Sequence, residues 1–169
     1  MTRHCVFTSA TLTAGGRFTY FLDRLGLPED TPTLSLPSPF DYRQRTLLYV
    51  PAKGFPEPSA PGYQASLHAC METLINHAGG RTLALFTSFQ AMETAYQVLR
   101  DRLPFPLLVQ GEAPRRVLLD QFARRTDSVL CAVASFWEGV DIPGDSLSLV
   151  IIDKLPFEVP SDPVIMARI

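Results

Sequence analysis

The sequence predicts an α/β fold in which helices flank a parallel sheet. Apolar runs of strand length, at residues 81–87, 128–134 and 147–152, alternate with segments of helical periodicity. These runs are mostly apolar, which is typical of strands covered on both faces. The chain has 169 residues, of which 46% are hydrophobic and 19% charged, so one domain of ordinary size can bury a core. Helices that link buried strands favour a parallel sheet with right-handed crossovers.

The first third of the chain has a less regular pattern. Residues 4–9 predict a short buried strand, and apolar residues at helical spacing from Phe18 to Leu25 predict a helix that Gly26 ends. Prolines recur from residue 28 to residue 61, so an extended connector is expected there, interrupted by one strand at residues 46–50.

The rest of the chain alternates between strand and helix. Ser88 is placed as the N-cap of one helix, and Gly79 with Gly80 ends another. The predicted helices are residues 63–77, 88–102 and 114–125, and the predicted strands are residues 81–87, 107–109, 128–134 and 147–152. The apolar residues 164–169 predict the start of one further helix.

Composition excludes several classes of protein. A formal net charge of −2 provides no global attraction for nucleic acid, although a local basic groove is compatible with it. Cys5, Cys70 and Cys131 are scattered, so they indicate neither a disulfide framework nor a metal site. No apolar run approaches the roughly 20 residues that span a bilayer. We expect a soluble, cytoplasmic protein without a membrane partner.

An acidic segment directly follows one buried strand. This segment, SFWEGVDIPG at residues 135–144, is called the acidic loop below. Ligands of open parallel sheets bind at the carboxyl ends of the strands, where this loop is expected to lie. Glu138 and Asp141 could there hold a ribose hydroxyl or a metal-bound water. A turn with solvated acids and with Trp137 packed as a lid explains the same residues.

Polar side chains follow other predicted strands as well. Small hydroxyl residues at 8–11 can relay hydrogen bonds from a nucleotide site, although in isolation an ordinary cap on the following helix explains them better. Thr87 with Ser88, and Gln110 with Gly111, occupy similar positions. Any one of these sites alone would be read as a cap or a turn, but four at one sheet edge indicate a ligand.

A phosphate-binding loop of the GxxxxGK[ST] type does not occur in these 169 residues. The two lysines are Lys53 and Lys154, and neither follows a glycine-rich strand-to-helix turn. There is no DExH or DExD run either. The chain therefore lacks the groups that cradle a triphosphate and hold its magnesium ion.

The order of these segments resembles the DinG/XPD-like branch of superfamily 2 DNA helicases. The segments that carry the resemblance are TSATL (8–12), SPFDY (38–42), LFTS (85–88), VQG (109–111), the acidic loop, DKLPF (153–157) and PSDP (160–163). Each motif is weak by itself, whereas their order is specific. SPFDY is more similar to the DinG side of the branch.

This resemblance implies a RecA-like parallel sheet, the second motor domain of a helicase, incomplete at both ends. Residues 28–169 would form that domain, and residues 1–27 would be the end of the first one. In such helicases ATP and Mg²⁺ bind between the two RecA-like domains, and single-stranded or forked DNA runs across both. An ATP-dependent DNA helicase is therefore the expected function of the full polypeptide.

The resemblance also assigns roles to particular residues. It implies that Thr8, Ser9, Ala10 and Thr11 form the coupling motif between nucleotide and DNA. The residues implied on the nucleotide side are Glu138, Gly139 and Asp141. Those implied on the DNA backbone are Thr87, Ser88, Gln110, Ser135 and Phe136. No metal ligand and no complete catalytic set are expected in this chain.

The family's remaining motifs are expected outside this sequence. The phosphate-binding loop, the DEAH-type box and the cysteines of an iron–sulfur cluster would precede Met1, and the arginine finger would follow Ile169. By itself the chain is therefore expected to be inactive towards ATP. The alternatives are a stand-alone, non-catalytic module that binds single-stranded nucleic acid or a helicase partner, and an unrelated flavodoxin-like enzyme.

Overall fold

A four-stranded parallel sheet organises the larger part of the chain. Its strands are Thr82–Leu85 (β1), Leu107–Val109 (β2), Val129–Ala132 (β3) and Leu149–Ile152 (β4), in the order β2–β3–β1–β4. Within this sheet, Thr82 of β1 is in register with Val129 on one side and with Leu149 on the other. The predicted α/β class with a parallel sheet flanked by helices is confirmed.

The computed structural model describes residues 5–51 and 54–155. The chain divides into two compact units, Met1–Val50 and Pro51–Ile169. Helices of the first unit are Thr19–Leu25 (α1) and Tyr42–Arg45 (α2). Helices of the second are Tyr63–Ala78 (α3), Phe89–Arg100 (α4) and Arg115–Arg124 (α5). The assignment of residues 1–27 to a first RecA-like domain stays a prediction.

The core of the second unit lies on both faces of the sheet. Alternate residues of a strand point to opposite faces, so Leu83 and Leu85 pack with Phe122 of α5. Ala84, by contrast, packs with the buried residues of α3 and α4 on the other face. Phe86 continues this second pattern just past the end of β1. The central strand is therefore covered on both faces, as its apolar sequence predicts.

Three strand predictions differ from the structure. Residues 5–9 and 46–50 form no strand, and Leu47 and Leu48 are 91% and 84% exposed. A strand requires a neighbour to pair with, and among the described residues neither segment has one. The prediction that residues 147–152 are covered on both faces is also wrong. β4 lies at the end of the four-strand order, and Val150 and Ile152 are about half exposed.

The predicted ends of the helices and strands, and the expected lack of a membrane-spanning segment, can also be compared with the structure. The helices and longer strands begin and end within three residues of the predicted positions, but the short helix α2 inside the proline-rich connector was not predicted. The predicted helix start at residues 164–169 lies outside the described residues. Within residues 5–51 and 54–155, no helix is long and apolar enough to cross a membrane.

Two consecutive glycines end α3, and the second one lies against another part of the backbone. Gly79 and Gly80 both have left-handed φ angles, +67° and +79°. Their N–H groups donate to the carbonyls of Asn76 and Ile75, respectively, at 3.1 Å each. A Cβ on Gly79 would meet nothing within 4 Å, whereas a Cβ on Gly80 would overlap the backbone carbonyl of Asp127.

We predict that Gly80→Ala destabilises the chain more than Gly79→Ala. Gly79→Ala forces an L-residue into the left-handed region, which costs about 1 kcal/mol. Gly80→Ala adds a steric overlap with Asp127, so we expect a loss of about 2–4 kcal/mol. Urea unfolding of both variants measures the difference. Equal losses would show that the close approach to Asp127 does not constrain this position.

Candidate nucleotide and nucleic-acid site

The carboxyl ends of the parallel strands bring three of the predicted polar sites to one edge of the sheet. Thr87 and Ser88 follow β1, Gln110 follows β2, and Ser135 begins the acidic loop just after β3. The fourth predicted site, residues 8–11, does not belong to this sheet. It lies in an irregular, exposed segment of the first unit, because residues 5–9 do not form a strand there.

Gln110 connects the end of β2 to the beginning of the acidic loop. Its Nε2 donates to the Ser135 hydroxyl at 3.1 Å, and its Oε1 accepts from the backbone N–H of Val133 at 2.8 Å. Its own backbone N–H donates to the carbonyl of Cys131 at 2.9 Å. The side chain therefore satisfies a main-chain donor that β3 leaves unpaired at its end.

Ser88 has the predicted role of N-cap. Its hydroxyl accepts from the N–H of Ala91 at 3.2 Å, at the start of α4. The same hydroxyl keeps its own hydrogen, which can be donated to a ligand. Both Thr87 and Ser88 are exposed, so their hydroxyl groups are accessible at the sheet edge.

The first turn of the acidic loop is anchored in the core. Ala134–Phe136 forms a 3₁₀ turn, and Phe136 is 1% exposed. The Phe136 N–H already donates to the carbonyl of Val133 at 2.9 Å. The ring of Phe136 is buried and its N–H is engaged, so this residue holds the loop in place, and its predicted contact with the DNA backbone stays a prediction.

The following residues present two carboxylates to solvent. Trp137 is partly buried and its Nε1 donates to the carbonyl of Phe86 at 3.5 Å, and Val140 packs against the same core. Glu138, between these two residues, and Asp141, directly after Val140, both have exposed side chains. The packing of Trp137 agrees with its predicted burial, but the exposed acids fit both a ligand site and a solvated turn.

Arg115, which sequence reasoning did not single out, contacts the middle of this loop. Its Nη2 donates to the carbonyls of Glu138 at 3.0 Å and Gly139 at 2.8 Å. Its guanidinium carbon lies 5.3 Å from the centre of the Phe136 ring. The one sequence signal was an arginine at the start of a helix, where positive charge is unfavourable.

A second polar cluster lies where α3 begins and β4 ends. The Tyr63 hydroxyl donates to Oδ1 of Asp153 at 3.0 Å, and Nζ of Lys154 lies 5.5 Å from the centre of the Tyr63 ring. Burial, followed by the negative charge of Asp153, raises the pKa of Tyr63 to about 12. Tyr63 therefore stays a donor at neutral pH. Since 90 residues separate the two partners, no local pattern could reveal the pair.

Metal ligands do not cluster in the part of the chain that the structure describes. No group of three or more His, Cys, Asp or Glu side chains there could hold a metal ion. The side chain of Cys131 is buried in the core, and burial raises the pKa of its thiol to about 12.

We predict that Gln110→Ala lowers the free energy of unfolding by about 1–2 kcal/mol. The substitution leaves the Val133 N–H without its acceptor, and an unpaired main-chain donor costs about that much. Gln121→Ala is the matched control because Gln121 is exposed on α5 and makes no hydrogen bond to a described side chain. Urea unfolding compares the two. A loss no greater than that of the control would contradict the linking role of Gln110.

We also predict that the chain loses stability as the pH falls from about 7 to about 5, in part through His68. His68 is 5% exposed, and its pKa is lowered by burial and then by the charge of Arg102, while Asp153 opposes this. The unfolded state therefore takes up a proton before the folded state does, so stability is present above the unfolded pKa of about 6.5 and falls below it.

His68→Leu should reduce that pH dependence, as measured by urea unfolding between pH 5 and pH 7.5. His77→Leu, at the exposed end of the same helix, is the matched control. An unchanged pH dependence in His68→Leu would exclude His68 as its source.

Comparisons with known proteins agree with this geometry. Residues 71–169 match the helicase C-terminal domain. The chain is 44% identical over 163 residues to the ATP-dependent DNA helicase YoaA of Escherichia coli, covering 96% of this chain and 25% of that protein. It is 42% identical over 166 residues to the ATP-dependent helicase DinG of Mycobacterium tuberculosis, with the same coverage of 96% and 25%. The probable ATP-dependent helicase YpvA of Bacillus subtilis is 36% identical over 164 residues, with coverage of 96% and 24%.

The chain spans about a quarter of the length of these curated relatives. Its match to the family model covers more than half of its own residues. The resemblance to DinG-type helicases is confirmed, and the chain belongs to the helicase C-terminal domain family.

Proposed function

We propose that this chain is part of an ATP-dependent DNA helicase, in which it forms one wall of the ATP site and part of the path of the DNA strand. One observation carries the proposal. Exposed hydroxyl groups, the partly buried amide of Gln110 and two exposed carboxylates share the carboxyl edge of one parallel sheet, where such folds bind ligands. The names of the relatives support the same activity.

The nucleotide side of the site would be the middle of the acidic loop. Glu138 and Asp141 carry the same sign of charge as the phosphates, so they do not fit direct contact with them. They fit acceptance of hydrogen bonds from ribose hydroxyls or from water bound to Mg²⁺. Gly139 between them has a φ of +64°, which produces the turn that separates the two acids. ATP, when bound, supplies the phosphoryl group whose transfer releases energy.

The phosphates themselves would be held by another domain. No GxxxxGK[ST] loop occurs in these 169 residues. We therefore propose that a first RecA-like domain provides the phosphate-binding loop and the Mg²⁺ ligands. The chain alone would then bind ATP weakly and would not hydrolyse it.

The DNA side would be formed by neutral donors. The hydroxyls of Thr87, Ser88 and Ser135 and the amide of Gln110 are suited to phosphate oxygens of a strand. Such contacts position a backbone and carry no sequence information. Because Gln110 and Ser135 are hydrogen-bonded to each other, DNA bound at one residue would change the hydrogen bonding of the other. The proposed substrate is therefore single-stranded or forked DNA bound without sequence preference.

Coupling between the two sides is proposed for the hydroxyl residues of the first unit. The Ser9 hydroxyl accepts from the N–H of Thr11 at 3.3 Å, and its oxygen lies at the same distance from the Thr11 hydroxyl oxygen. Thr8 precedes this turn, Ala10 lies between its two hydroxyl residues, and both are exposed. A short relay of this type can pass a change in hydrogen bonding from one ligand to another.

We predict that Asp141→Ala lowers ATP turnover. The protein to test is a chimera in which this chain replaces the matching quarter of the E. coli relative. Because Asp141 is proposed to act on the nucleotide, the loss of kcat/KM should be roughly tenfold or more. DNA-stimulated phosphate release measures it. Asp145→Ala is the matched control, since Asp145 is exposed in the same region.

A chimera in which Asp141→Ala behaves like Asp145→Ala would contradict the nucleotide role of the acidic loop. A chain that binds single-stranded DNA tightly by itself, while the folded chimera hydrolyses no ATP, would favour the stand-alone binding module. Fluorescence anisotropy of a labelled oligonucleotide measures the DNA binding of the chain alone, and phosphate release measures the ATP turnover of the chimera.

A further inference from the structure

Among the residues that the structure describes, one side chain bridges the middle of the acidic loop. One nitrogen of Arg115, Nη2, donates to two consecutive carbonyls, those of Glu138 at 3.0 Å and Gly139 at 2.8 Å. These carbonyls flank the left-handed turn at Gly139. A charged donor forms stronger hydrogen bonds than a neutral one, so these contacts resist a change in the turn.

The guanidinium of Arg115 also packs on the aromatic ring of Phe136. Its central carbon lies 5.3 Å from the centre of the Phe136 ring, and Phe136 is 1% exposed. An arginine over an aromatic face is attracted by the ring electrons. Because the ring is fixed in the core, the guanidinium has a rigid support although Arg115 is exposed.

The helix that carries Arg115 gives no local reason for an arginine there. Arg115 is the first residue of α5, whose first turn contains no acidic residue and whose N-cap, Pro114, makes no side-chain hydrogen bond. Positive charge at a helix N-terminus opposes the helix dipole and is mildly destabilising. The contact with the acidic loop compensates for this cost.

We infer that Arg115 is a positioning residue that fixes the turn between Glu138 and Asp141 and thereby orients both carboxylates towards the nucleotide. Only the identity of the ligand, a nucleotide, rests on the proposed function. The bridge from Arg115 to the loop is observed without any ligand. Gln110 is the first residue after β2, and Arg115 is the first residue of the helix that follows, α5. These two residues therefore hold the acidic loop at its beginning and at its middle.

The first test uses the chain itself. Trp137 is the one tryptophan of the sequence and lies in the acidic loop, so its fluorescence reports on the loop directly. We expect Arg115→Ala to shift the emission of Trp137 to longer wavelength and to increase its quenching by acrylamide. Arg116→Ala, which removes the next and equally exposed arginine, is the matched control and should change neither signal.

Arg115→Lys distinguishes the bridge from a charge effect. Lysine keeps the charge but lacks the planar fork that stacks on a ring while it donates to two carbonyls, so it should restore the wild-type signals only in part. Full rescue by lysine, or Trp137 signals of Arg115→Ala that match those of Arg116→Ala, would overturn the inference. Urea unfolding of each variant verifies that the fold is retained.

The second test uses the chimera described above. Arg115→Ala should raise KM for ATP on the order of tenfold, with a smaller effect on kcat, because it disorders groups that bind the nucleotide. If Asp141→Ala impairs turnover and Arg115→Ala does not, the inference about Arg115 fails and the proposed function stands. If neither does, while Trp137 still responds to Arg115→Ala, the proposed nucleotide role fails and the structural bridge stands.

Discussion

The parallel pairing of β1 with β3 and with β4 is the constraint on which the rest of the second unit depends. Because all strands of the sheet run in one direction, their carboxyl ends meet at one edge. Segments as distant in sequence as Thr87 and Ser135 therefore become neighbours there. The polar groups of the edge need no attraction for one another, since hydrogen bonding of the backbone brings them together.

The acidic loop is ordered by packing and hydrogen bonds, and its charged groups play little part in this. Phe136 and Trp137 anchor its beginning in the core, Gln110 satisfies the main chain beside it, and Arg115 bridges its middle. The carboxylate groups of Glu138 and Asp141 are left exposed. In the proposed function, a loop built in this way would hold its ligand groups in place before the ligand binds, so less ordering would have to occur on binding.

The strand β4, at the end of the strand order, is less covered than the central strands. Its end is connected to α3 by the hydrogen bond between Tyr63 and Asp153, whereas Val150 and Ile152 remain partly exposed. Buried polar groups lie near this connection, since His68 Nε2 and Asp153 Oδ2 have no hydrogen-bond partner among the described residues. The burial of His68 makes the fold sensitive to protonation of that imidazole, and Asp153 itself lies at the carboxyl edge of the sheet, where its N–H donates to the carbonyl of Leu85 at 3.1 Å.

The sequence by itself determined the fold class, the helices and central strands of the second unit, the N-cap at Ser88 and the family. These depend on local periodicity, on capping residues and on the order of short motifs, all of which can be read along the chain. Strands at residues 5–9 and 46–50 were predicted wrongly. Apolar composition shows that a segment is able to pair in a sheet, but it does not show that a neighbouring strand is present to pair with. The burial of Phe136 could not be predicted for a similar reason, since burial depends on what packs against a residue.

Only the tertiary structure decided which groups lie together at the candidate site. The bridge from Arg115 to Glu138 and Gly139 joins residues more than 20 positions apart, and the pair of Tyr63 and Asp153 joins residues 90 positions apart. Such contacts depend on crossovers and on register, which no window of sequence contains. The physical reason is that hydrogen bonds and packing act through space, whereas sequence patterns report on neighbours along the chain.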